Sequence, residues 1–267
     1  MPATWLPPAP PLLLAWAAAV VLGAGVVRGF AGFGFSALCV AGLSLVLPPA
    51  QVVPPIFMLE VLASLSLLRG ALAHADWRWL GWLLAGNALF IPAGVALLAW
   101  LPETPLRLVI GVLLLAAALA SRSGFVMGLE PTRGVRFAAG VVSGLFNGIA
   151  AIGGTALAVL LSTSSMPPAA MRATMIVLFL FTDLYALAVA AVMPGGGAGE
   201  GGGALLGAAT LRWAIFLTPA MLLGIWLGQR SFVGISHERF RRIVLDLLIV
   251  IATLGLLRAL AGWMATS

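Results

Sequence analysis

The chain has 267 residues, 62% of them hydrophobic and only 8% charged, too few charges to solvate a soluble globule of that size, so its solvent is lipid. Against 8 acidic residues stand 14 basic ones, all arginine, for a net charge of +6. They fall singly or in short clusters between apolar runs, which excludes a nucleic-acid-binding face and fits loops at phospholipid headgroups.

At the N-terminus, MPATWLPPAPPLLLAW carries no basic residue, and the first charge is Arg28. This segment does not read as a signal peptide; an uncharged start before an apolar run predicts an N-terminus outside the cell. A glycine-broken hairpin is predicted over residues 12–47, with Gly29, Gly32 and Gly34 at its tip and Cys39, read as packing, in its second arm. After a Pro-Pro-Ala turn come three spans at about 52–68, 80–101 and 105–122, completing a first unit of residues 1–125. A cytoplasmic linker follows at 126–134. The second unit, 135–267, has the same order of parts: a broken hairpin at 136–165 and spans at about 171–193, 211–228 and 243–262. Its one addition is a glycine-rich external loop at 194–208. Trp77, Trp79, Trp82, Trp100, Trp213 and Trp263 stand near span ends, as an aromatic belt would place them.

These units are copies. Gly29 to Ala50 aligns without gaps to Gly148 to Ala169, 119 residues on, with 9 of 22 positions identical. At an offset of 134, Ala75, Arg78 and Trp79 match Ala209, Arg212 and Trp213, and Arg107 matches Arg241. In the second unit the arms at 136–147 and 155–165 are 12 and 11 residues long, about 18 Å each, too short to cross a bilayer alone. Each pair is therefore either one broken helix or a hairpin returning to its side of entry.

Arginine placement separates those readings. With single crossings the interspan arginines divide 6 against 7, whereas with returning hairpins they divide 10 against 3. The second count has the bias that marks a cytoplasmic side, and it predicts an all-α polytopic membrane protein of two inverted-topology repeats with both termini outside.

Unwound glycine backbone is tolerated at membrane depth only where it lines a cavity or is buried in protein, and a helix that starts there aims free N–H groups inward. Gly29, Gly32, Gly34, Gly148, Gly153, Gly154 and Thr155 are thus candidate ligands of an anion, with close helix packing as the competing role of the glycines. Arg28 beside the first cluster is the one arginine outside the loops, and its repeat counterpart is Asn147; both join the candidate site. Glu60 and Asp183, near the centres of matching spans, either carry protons or neutralise Arg28 and cap a polar pocket. Asp246 is expected to pair with Arg242 one helical turn before it. His74 and His237 lack metal-ligand spacing and a nucleophile, so neither an enzyme, a metal site nor a cofactor is expected.

The segments SGLFNGIAAIGGTALAVLLSTSSMPPAAMRATM and RGFAGFGFSALCVAGLSLVLPPAQ, in a duplicated membrane chain of this length, resemble the TauE/SafE (sulfite exporter) family. The resemblance implies a bacterial inner-membrane carrier of small anions such as sulfite or organosulfonates. Proton coupling, an uncoupled anion channel, a carboxylate carrier, a non-transporting subunit and homo-oligomer formation remain open from the sequence.

Overall fold

The computed structural model describes residues 6–123, 132–155, 157, 166–193, 205–230 and 237–266. Among them the chain is all helical, with no strand: α1 (Pro11–Ala31), α2 (Phe35–Leu43), α3 (Pro49–Ala71), α4 (Trp77–Trp100), α5 (Glu103–Arg122), α6 (Arg133–Ala150), α7 (Pro168–Val192), α8 (Ala208–Arg230) and α9 (His237–Thr266). Seven of these, all but α2 and α6, are long and apolar enough to cross a membrane. Large apolar side chains cover the outside, including Leu12 at 83% exposure and Val192 at 81%, a surface that only hydrocarbon solvates. The second arm of the second hairpin, beyond residue 157, lies outside the described residues, as do most of the 126–134 linker and of the glycine-rich loop.

Local chemistry sets the helix ends. Proline opens α1, α3 and α7, where its missing N–H would have no intrahelical partner anyway. Asp76 caps α4 by accepting from the N–H groups of Arg78 (3.0 Å) and Trp79 (3.1 Å), and Thr132 caps α6. The first hairpin breaks at Gly32 (φ 82°) and Gly34 (φ 89°), both left-handed, a conformation glycine adopts without a Cβ penalty. In the second repeat Ala151, aligned with Gly32, takes the same left-handed turn at φ 57°.

The helices extend several residues past the predicted spans, and one difference is instructive. The sequence reading puts Gly29 and Gly148 in unwound backbone and ends the arm at 136–147 before the glycines. Instead Gly29 lies inside α1, and α6 continues through Gly148 to Ala150 over 18 residues. Both glycines face another helix rather than a break. A Cβ on Gly29 would overlap the Ile225 carbonyl of α8, and one on Gly148 would lie 2.8 Å from Gly94 Cα in α4. Such seams let backbones approach closely where lipid supplies no hydrophobic drive between helices.

Contacts also fix directions. Trp16 Nε1 donates to Gly42 O at 3.2 Å, and a Cβ at Gly42 would sit 2.9 Å from Val20 Cγ1, so α2 folds back along α1 as a hairpin. α1 runs parallel to α8 through Gly25, Gly29, Gly224 and Gly228, and α6 runs parallel to α4 through Gly140, Gly148, Gly86 and Gly94. α5 and α9 run antiparallel, since Arg122 meets Asp246 and Gly111 meets Leu256. Asp246 thus pairs with Arg122 at 2.7 Å, across helices, and not with Arg242 as expected. The tip of the first hairpin and the end of α6 converge on the middles of α3 and α7.

Candidate functional site

Arg28 sits in the last turn of α1 and is fully buried. Its Nη1 donates to Gly32 O (2.8 Å), the carbonyl of the hairpin break, and Nη2 donates to Ser64 Oγ (2.9 Å) on α3. The same Nη2 lies 3.2 Å from Glu60 Oε2, and the guanidinium carbon stands 4.8 Å from the centroid of the Phe179 ring on α7. Burying two charges in this setting requires that they compensate each other. Glu60, 2% exposed, meets that demand and does more. Its Oε1 accepts from the Ser36 N–H at 3.2 Å, in the first turn of α2, so the carboxylate bridges a guanidinium and a helix N-terminus. Gly34 caps that helix, and a Cβ added there would come 3.5 Å from Val27 Cγ1.

The aligned residues of the second half form a related arrangement with charges redistributed. Asn147 Nδ2 donates to Asp183 Oδ1 at 2.8 Å, and both residues are buried. This pair spans 36 residues, as does Arg28 with Ser64, and its members are the repeat counterparts of those two. Ser143 Oγ donates to Gly153 O (3.2 Å) and Thr155 Oγ1 to Ile152 O (2.7 Å), holding the second tip. Phe179, the counterpart of Glu60, links the halves: Arg28 lies on its ring, and a Cβ at Gly154 would come 2.6 Å from its Cε1.

The structure adds Arg172, which sequence reasoning did not single out. It lies in the second turn of α7, donates from Nη2 to Gly29 O at 2.9 Å, and packs its side chain against Gly32. Its position one residue before Ala173-Thr174, in the stretch that carries the family resemblance, was the available signal. Three buried side-chain atoms at this centre lack a hydrogen-bond partner: Arg28 Nε, Glu60 Oε2 and Arg172 Nε. Such atoms leave capacity for a ligand's oxygens or a proton. At the opposite end of α2, a small cleft of about 30 Å³ is lined by Ser44, Arg107 and Gly255 among others. Arg107 there is engaged with Glu103 (2.7 Å) and Leu47 O (3.0 Å), and the cleft does not include the buried pair. His74 Nδ1 lies 3.2 Å from Gly70 O at the exposed end of α3, away from the centre.

A family model described as "Sulfite exporter TauE/SafE" matches residues 17–254. The chain is also 28% identical over 260 residues to a "Probable sulfite/organosulfonate exporter TauE" of Cupriavidus necator, covering 91% of this chain and 94% of that protein. No solved structure matches.

Proposed function

The chain belongs to the TauE/SafE family of sulfite exporters, membrane transporters and not enzymes, and from that membership we propose that it carries a small sulfur oxyanion, sulfite or an organosulfonate, out across the bacterial inner membrane. In this reading the two repeats have inverted topology with both termini outside, and they rock about the centre where their tips meet. Support comes from reciprocal packing: arm α1 lies on α8 as its counterpart α6 lies on α4, and the counterparts α5 and α9 run antiparallel. Arg28 and Asn147, with Ser36, Thr155 and the tip backbone at Gly32, Gly34, Gly153 and Gly154, hold the anion. Gly29 and Gly148 serve by letting the arms approach, Gly29 also through its carbonyl to Arg172. Glu60 or Asp183 carries the coupled proton.

The observation that carries the proposal is the complete burial of Arg28 at a helix break, at a depth where a lone charge is expensive and functional by default. Its forked donors suit two oxygens of one anion. Vesicles reconstituted with the purified chain should release radiolabelled sulfite, and Arg28→Ala should abolish the release while Arg69→Ala, at the exposed end of α3, should not. Undiminished release from the Arg28 variant removes this site; currents far above carrier turnover would make the protein a channel.

A further inference from the structure

We infer that the Glu60 carboxylate is a tethered competitor of the transported anion: it occupies the subsite of a monovalent oxyanion and vacates it on taking up a proton. The inference rests on the transport reading above and names the ligand class and coupling rule of that site.

Two oxygens of one carboxylate fill the positions an oxyanion would take. Oε1 receives the Ser36 N–H at 3.2 Å, and Oε2 lies 3.2 Å from Arg28 Nη2. Ser64 Oγ, 2.9 Å from that same Nη2, stands beside them. A sulfonate or hydrogen sulfite offers the same single charge and the same pair of accepting oxygens, so ligand and side chain present one chemistry to one set of donors. The donor set does not rest on the helix N-terminus alone. Arg28 is fully buried with Nε unpartnered, and Glu60 Oε2 receives no hydrogen bond of good geometry. Glu60 is therefore held by charge and by one backbone N–H, a hold that a better-fitting anion can replace.

Charge balance makes the exchange obligatory. Acting on Glu60 are Arg28 from α1, Cys39 and the Ser36 N–H from α2, and Asp183 from α7; Arg172 of α7 acts on Arg28, and α6 contributes the neutral Asn147. An anion entering beside an ionised Glu60 would put a second negative charge against Arg28. Once a proton from the aqueous phase that delivers the anion sits on Glu60, the guanidinium faces one negative charge, as before. Anion and proton thus load together, one for one, and move in the same direction. With the anion gone, Glu60 ionises and closes on Arg28, so the empty carrier returns without an uncompensated buried charge.

Binding of methanesulfonate and of sulfite to the purified full chain, measured by titration calorimetry in buffers of differing ionisation heat, tests this; proton counts and pH slopes are read on methanesulfonate, a monoanion throughout, because sulfite itself takes up a proton to become hydrogen sulfite. The wild type should take up about one proton per anion, its affinity falling roughly tenfold per pH unit where Glu60 is ionised. Glu60→Gln, which keeps an acceptor for Ser36 N–H and loses the charge, should bind at about pH 8 at least tenfold more tightly than the wild type, with no pH slope. Binding by the wild type without proton uptake overturns the inference alone, as does a wild-type pH slope in Glu60→Gln, which would move the proton to Asp183. Should that variant fail to fold, the wild-type proton count decides by itself. Failure of the wild type to bind or move either anion overturns the transport reading, and the inference with it.

Discussion

Arg28 and Glu60 form a pair in which the removal of either member costs stability. Each is nearly inaccessible to solvent, and the loss of one partner leaves the other charged in a low-dielectric interior. Arg28→Ala should therefore lower the stability of the detergent-solubilised protein by about 3–5 kcal/mol. The double variant Arg28→Met, Glu60→Gln should recover most of that loss, because neither charge of the pair remains and the introduced amide oxygen still accepts from Ser36 N–H. Thermal unfolding followed by tryptophan fluorescence checks both, and neither variant should transport. Equal instability of the single and double variants would mean that Arg28 acts through its bonds to Gly32 O and Ser64, not through the ion pair. Ala151 is the other residue with a conformational cost: its left-handed backbone at φ 57° disfavours a Cβ, whereas Gly32 makes the matching turn freely.

At the scale of elements, α2 owes its place to groups at both of its ends. It is only nine residues long, about 13 Å, and an isolated helix of that length is marginal. Glu60 meets its first turn, while Arg107 and Arg258 donate to the carbonyls of Ser44 and Leu45 just past its last, each charge complementing the helix dipole. The full-length helices are placed by glycine seams instead. Gly228→Val should force α8 off α1, since a Cβ there overlaps the Val26 carbonyl, with a loss of about 1–3 kcal/mol. Gly23→Ala, where nothing lies within 4 Å of the added carbon, should be neutral or stabilise α1 by up to about 1 kcal/mol. Melting temperatures of the two variants decide it; equal and small effects would show that the seam does not determine the packing.

For the whole molecule, the proposed inversion makes a definite statement about sides. On that proposal Val46, past the end of α2, and Met193, past the end of α7, lie on the outer face, and His74 and Ser123, past α3 and α5, on the cytoplasmic face. In a Cys39→Ala background, single cysteines at the first two positions should react with a membrane-impermeant maleimide added to intact spheroplasts. Cysteines at the other two should react only after lysis. Labelling of Val46→Cys and Met193→Cys from opposite sides would break the pseudo-twofold arrangement and with it the rocking mechanism.

Apolar runs, prolines and arginines act through transfer free energy and local backbone preference, so the all-helical membrane class could be read along the chain. The same reasoning singled out Arg28 as a charge with no loop to sit in. It did not reveal that Glu60 caps α2 while facing Arg28, that Arg172 reaches back to Gly29, or that Gly148 continues a helix, because these depend on which helix lies alongside. A glycine that breaks a helix and one that admits a neighbour look alike in sequence, and a carboxylate's partner is chosen in space. Only the tertiary structure, by laying α8 against α1 and α4 against α6, settled these points.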